Sequence, residues 1–305
     1  MDSVILRNYR PGDASALSRL FRTVYGEHYA NHHVYLPCMF NQNHAEQRWH
    51  SLLAVEGEKI IGHATLSRGE GSCSAELALS VVHPDTRGQN IATRLGQQLL
   101  VHAQALGCRG VIIKQVTQHP YTQRMAARLG FHNCGLLADY APSPFGDTAP
   151  ESLVIGYRPI DGYRRPLPLV NWPPACTELK QHLVSVFGVR DRQVRWTRPA
   201  VQLDQQWGRH DVVLRQLDHG LLRQLRRLPA HWRICLKLRL SADLATDASR
   251  LAAAGFTFTG LAPDDRGAGW LALFHRGTQP RALQLHCPHM QRLHDALPAP
   301  VADSA

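Results

Sequence analysis

Cysteine is scarce in this chain and poorly placed for cross-linking. Seven cysteines, an odd number, lie scattered through 305 residues at positions 38, 73, 108, 134, 176, 235 and 287, with no C-x-x-C pair. A disulfide framework is excluded, and reduced thiols in a cytoplasmic protein are expected. No apolar run approaches the roughly 20 residues a membrane-crossing helix needs. The opening residues MDSVILRNYR lack the charged-then-apolar pattern of a secretory signal, so no membrane partner is expected. Two histidine-rich stretches, His28, His32, His33 and His286, Cys287, His289, His294, carry no H-E-x-x-H frame, and no metal is expected. Acidic residues are outnumbered, 24 to 34 Lys and Arg, giving a net charge of +10.

Apolar residues make up 44% of the sequence, enough for proper cores, and 305 residues fit two domains. The most informative stretch is Ser74 to Leu95. The run AELALSVV reads as a strand covered on both faces. His83-Pro84-Asp85 breaks it, and a helix starts near Ile91 with Ile91, Leu95, Leu99 and Leu100 on one face. Between them lie Arg87, Gly88, Gln89, Asn90, Ile91 and Ala92. The unpaired N–H groups and partial positive charge of a helix start make such a loop a phosphate cradle, and Arg87 adds a fixed charge.

This segment resembles the acetyl-CoA pyrophosphate loop of the GNAT N-acetyltransferases, with Arg87, Asn90 and Ala92 at the signature positions and Val82 and Pro84 before them. Asn90 stands where the family has glycine; asparagine tolerates positive φ, so the turn is expected to survive. The family's order continues around it. Val4-Ile5-Leu6-Arg7 matches its first strand, and Asp13 is expected to cap a helix carrying Leu17, Leu20, Phe21 and Val24. Residues 52–55 and 60–64 read as a hairpin around the polar turn 56–59, Gly110 to Lys114 as a strand, and Arg128-Leu129-Gly130-Phe131 as the family's closing "LGF". The resemblance implies an α/β GNAT fold: a central, twisted, mostly antiparallel sheet flanked by helices.

The second half echoes the first. RMAARLGFHNCGLLA and SRLAAAGFTFTGLAP place Gly130-Phe131 and Gly255-Phe256, and Gly135 and Gly260, at the same offset, with apolar strands before and after each. Residues 1–160 are therefore expected to form a GNAT acetyl-CoA-binding catalytic domain and 161–174 a linker. Residues 175–290 are expected to form a smaller, degenerate GNAT-like domain without a phosphate loop, and 291–305 a disordered tail. The whole resembles tandem GNAT-like bacterial proteins, with a homodimer as one possible assembly.

Amine acetylation needs a base for the amine, a donor for the thioester oxygen and a proton for the departing thiolate. The resemblance implies Glu76, on the strand before the loop, as base; the alternative is a solvated strand-edge carboxylate. The family commonly has a tyrosine just before "LGF"; none is present here. His119 and Tyr121 are the candidates for orienting CoA or protonating its sulfur, unless His119-Pro120 merely caps a helix. Acetyl-CoA would be held by Val81, Val82 and the Arg87–Ala92 loop. The acceptor pocket would draw on Tyr25, Tyr29 and Tyr35, which helix packing alone also explains. The basic excess suits CoA phosphates. The densest basic stretch, Arg215 to Arg233, alternates with Leu221, Leu222, Leu225 and Leu228 as an amphipathic helix with a solvated face, so nucleic acid is not expected as a partner. The expected function is acetyl transfer from acetyl-CoA to a primary amine by direct attack in a ternary complex. The alternatives are a non-catalytic acetyl-CoA-binding regulator and an acetyltransferase directed at RNA or aminoacyl-tRNA.

Overall fold

The computed structural model describes residues 4–191 and 194–296. The first half of the chain runs β1 (Ile5–Asn8), α1 (Ala14–Tyr25), α2 (Pro37–Ala45), β2 (Trp49–Glu56), β3 (Lys59–Ser67), β4 (Ala75–Val82), α3 (Ile91–Ala105), β5 (Gly110–Val116), α4 (Tyr121–Arg128), β6 (His132–Ala141) and β7 (Glu151–Pro159). The second half runs α5 (Thr177–Phe187), β8 (Val201–Gln206), β9 (Arg209–Leu214), α6 (His219–Arg227), β10 (Arg233–Arg239), α7 (Leu244–Ala252), β11 (Thr257–Pro263), β12 (Trp270–Arg276) and α8 (Pro288–Asp295).

These strands form one 12-stranded sheet in the order β1-β2-β3-β4-β5-β7-β6-β11-β12-β10-β9-β8. Read from either end toward the centre, β3-β4-β5-β7-β6 and β8-β9-β10-β12-β11 follow the same path. In each half the second and third strands pair parallel and the other neighbours antiparallel. The halves join at an antiparallel bridge between Gly135 and Gly260. A Cβ on Gly135 would sit 2.5 Å from the Leu261 carbonyl oxygen, and one on Gly260 2.6 Å from that of Cys134, so the repeated glycines allow the two backbones to meet.

The core does not respect the expected boundary. Cys134, Leu136, Val154 and Tyr157 from the first half pack in one cluster with Leu183, Leu236, Phe256 and Trp270 from the second. Residues 161–174 are fastened down rather than free. Leu167 bridges to Val189, and the buried Arg165 donates to the carbonyls of Asp264 and Gly269 while lying over the rings of Tyr157 and Trp270. At the other end, residues 291–295 belong to α8, which packs on α5, instead of a disordered tail; residues 297–305 lie outside the described residues.

Two local expectations are corrected. Asp13 precedes α1 without capping it: its carboxylate accepts two hydrogen bonds from Arg7, at 2.7 and 2.8 Å, and one from the Arg10 N–H. β4 is not covered on both faces. Its residues alternate buried and half-buried, because Ala75 and Leu77 pack under α3 whereas Glu76 opens onto a cavity on the opposite face. The basic helix α6 behaves as expected, burying Leu222 and Leu225 and exposing Arg223, Arg226 and Arg227.

Candidate active site

The site grows out of an irregularity in β4. Two β4 residues, Leu79 and Ser80, stand opposite a single position of β3, and Leu79 takes φ 51°. An extra residue reverses the alternation of side chains. Leu79 and Val81 thus turn toward α1 and α2, joining Phe21 and Phe40, while Ala75 and Leu77 face α3. The bulge carbonyl of Leu79 accepts a 2.8 Å hydrogen bond from Nδ1 of His63. His63 is fully buried between the edges of Phe21 and Phe40, and burial drives its pKa down to about 4, so the ring is neutral with its proton on Nδ1.

β4 and β5 pair in parallel at Ala75–Val111, Glu76–Ile112 and Leu77–Ile113 and then part. Beyond Leu77, β4 therefore has no strand partner on its β5 side. The opening forms a cavity of about 420 Å3 lined by the bulge, Ile113, Lys114, Tyr25, Tyr29 and His119. A second cavity, about 460 Å3, continues across the sheet face into the second half and shares Ser67, Glu76, Lys114, Tyr140 and Gln206 with the first. Together they make one trough over the middle of the sheet.

At the head of α3, Asn90 adopts the left-handed conformation, φ 57° and ψ 19°, as expected of an asparagine in the family's glycine position, and it makes no side-chain cap. Among the described residues, the main-chain N–H groups from Gly88 to Thr93 have no acceptor, and the Arg87 guanidinium makes neither an ion pair nor a hydrogen bond. Its charge reaches the trough, where it works on the ionisation of Tyr25 and His119. A row of free N–H groups beside a free arginine fits a pyrophosphate. The corresponding helix of the second half, α6, is closed: the Asp218 carboxylate caps it by accepting from the Leu221 N–H at 2.8 Å. An anion already occupies that helix start.

The sequence-derived residues fall out as follows. Glu76 faces the trough, but it is not a free carboxylate: Lys114 donates to it at 2.8 Å. Burial disfavours the Lys114 charge, yet Glu76 and Tyr140 outweigh that and raise its pKa. His119 lines the trough with its Nδ1 unpartnered, and burial pushes its pKa down. Tyr121 lies beside it, ring centroids 5.0 Å apart, but is 70% exposed and lines neither cavity. Tyr25 and Tyr29 line the trough, and burial raises both their pKa values. Tyr35 lines neither cavity: it is buried in the core beneath α1, where its hydroxyl accepts the Tyr29 N–H at 2.8 Å and fixes that tyrosine's position. Val81 is in the core and Val82 at its margin, so either would meet a ligand through main-chain atoms.

Lys114, Tyr140, Asp211 and Lys237 were missed. The legible signal was a lysine in the middle of each apolar strand, GVIIKQV and RICLKLR, where an unpaired charge would be costly. No group of three or more His, Cys, Asp or Glu side chains suited to a metal occurs among the described residues, nor is any helix long and apolar enough to cross a membrane.

Residues 14–131 match the Acetyltransferase (GNAT) family model, and this part of the chain is a GNAT domain. Similar solved structures include an N-acetyltransferase from Staphylococcus aureus Mu50, 15% identical, covering 52% of this chain and 99% of its own, TM-score 0.46. Another is yncA, a putative acetyltransferase from Salmonella typhimurium with acetyl-CoA, 16% identical, covering 54% and 98%, TM-score 0.46. A third is a phosphinothricin acetyltransferase from Sinorhizobium meliloti in complex with acetyl-CoA, 19% identical, covering 52% and 90%, TM-score 0.45. No curated protein sequence matches the chain.

Proposed function

We propose that the protein is an acetyl-CoA-dependent N-acetyltransferase acting on a primary amine by direct attack in a ternary complex. The observation that carries the reading is the pairing of a parted β4–β5 edge with an uncapped α3 start. The loop Arg87–Ala92 would hold the pyrophosphate, and the pantetheine arm would run along the unpaired edge of β4 beside Val81 and Val82. The amine would enter from the trough. The new N–C bond forms as the C–S bond breaks. The proton lost by the amine goes to Glu76, directly or through water, and its arrival must loosen the bond from Lys114. Burial keeps His119 neutral, which suits it to orienting the thiol end and, with Tyr121 outside the trough, leaves the thiolate's proton to water. The half carrying the closed helix α6 is a degenerate GNAT-like unit in this reading and binds no second CoA.

A non-catalytic acetyl-CoA-binding regulator is the second reading, favoured by the ion pair that occupies Glu76. Isothermal titration with acetyl-CoA, followed by a thiol-release screen of amines, tests both. One site per chain with thiol release supports the transferase, and one site without release supports the regulator. Two sites would mean that the second half also binds, and no binding overturns both readings.

A further inference from the structure

Glu76 and Lys114 have a counterpart across the sheet. Glu76 pairs in register with Ile112, two residues before Lys114; Asp211 pairs with Cys235, two residues before Lys237. Both pairs face the same trough, with the Tyr140 ring 5.7 Å from the Lys114 ammonium and 5.8 Å from that of Lys237.

The two pairs differ in what occupies the carboxylate. In the first half Lys114 is bonded directly to Glu76 at 2.8 Å. In the second half Asp211 is taken by a third group: the buried Arg209, stacked 3.5 Å over the Tyr140 ring, donates to Oδ2 of Asp211 through Nε at 3.1 Å and Nη2 at 2.5 Å. Lys237 stands off at 3.4 Å from Oδ1, beyond the reach of a short charge-assisted bond. Two cations thus share one carboxylate there, and the surplus charge is an ammonium that opens into the trough. A trough of this size takes a small molecule. It offers Glu76 on the side of the acetyl-transfer edge, and on the other Lys237, which shares Asp211 with Arg209 and has Asp204 and the Arg198-paired Asp265 along the same wall.

We infer that the acceptor is a small amine carrying an anionic group at its other end, with Lys237 of the second half binding that group and the amine directed to Glu76. The assignment rests on the acetyltransferase reading for the fate of the amine, but not for the binding of the anion. It makes Lys237 a specificity-determining residue, and it gives the second half a purpose that needs no CoA.

Two matched acceptor series test it: β-alanine, γ-aminobutyrate and ε-aminocaproate against alkylamines of equal length, with aminoalkylphosphonates as a third arm to separate carboxylate from phosphorus acids. Binding is measured calorimetrically on the full chain, and acetylation by thiol release. At least one acid is expected to bind, with a KM about ten- to a hundredfold below that of its alkylamine, the range of a charge-assisted bond. Lys237→Met erases that advantage, acids and alkylamines then showing similar KM values, while acetyl-CoA affinity stays as it was; Lys237→Arg, which keeps the charge, restores much of it. Equal treatment of acids and alkylamines by the wild type, no acid binding at all, or a Lys237→Met variant that keeps the advantage overturns the inference. Acid binding lost in Lys237→Met, in a protein that binds no acetyl-CoA, upholds the anion site and overturns the transferase.

Discussion

Gly135 and Gly260, equivalent positions of the internal repeat, face each other across the bridge that joins the two halves of the sheet. Their missing side chains are what permits the approach, since a Cβ on either would stand within 2.6 Å of a main-chain oxygen on the other strand. Gly135→Ala and Gly260→Ala are each expected to cost roughly 1–3 kcal/mol, the second also for its φ of +106°. Urea unfolding checks this, with Gly12→Ala, which meets nothing within 4 Å, as the neutral control. Wild-type stability in both bridge variants would mean the seam is not close-packed.

Arg87 is predicted to matter for the donor and not for the fold. Its guanidinium has no partner among the described residues, so Arg87→Ala removes no internal contact. Acetyl-CoA affinity measured by titration should fall about tenfold or more, with the melting temperature unchanged. Unchanged affinity would place the pyrophosphate elsewhere.

Glu76→Gln should reduce turnover by about a hundredfold or more, the range for loss of a general base, while acetyl-CoA affinity stays as it was. The Lys114 bond makes a second outcome informative. Lys114→Met frees the carboxylate, and a change in kcat there would show that the ion pair restrains Glu76 as a base. Full activity of Glu76→Gln would move the base to another group.

Two buried imidazoles make stability depend on pH. Burial lowers His63 to about 4 and His275 to about 3, against an ordinary value of 6.5. A depressed histidine stabilises the fold fully above the unfolded value, and the contribution is lost as pH falls toward the folded one. Stability should therefore decline from about pH 6.5 to about pH 4 by on the order of a few kcal/mol. Nitrogen-correlated NMR at pH 5 should find both rings neutral; titration of His63 near 6.5 would show that the β4 bulge is not held as described.

Much of this was open to sequence reasoning. The hairpin, the β4–loop–α3 unit, the "LGF" helix end and the repeat all carry local signals: alternation, proline, a small set of turn residues. Asn90 was legible because few other residues tolerate its φ. The fastening of residues 161–174 was not, since it depends on Arg165 reaching Tyr157 and Trp270, partners far apart in the chain. The same holds for Lys114 and Glu76, 38 residues apart. Pairing across strands is decided by register, which the pattern of one strand alone does not reveal.

The bridge at Gly135 and Gly260 has a further consequence. An antiparallel edge-to-edge contact between two like units is how many proteins dimerise, and a dimer of identical chains must change both copies with every mutation. Here the two units sit on one polypeptide, so their association is independent of protein concentration and each copy of the repeat can drift alone. One has an open helix start; in the other Asp218 closes it. The seam is symmetric; the helix starts on either side of it are not.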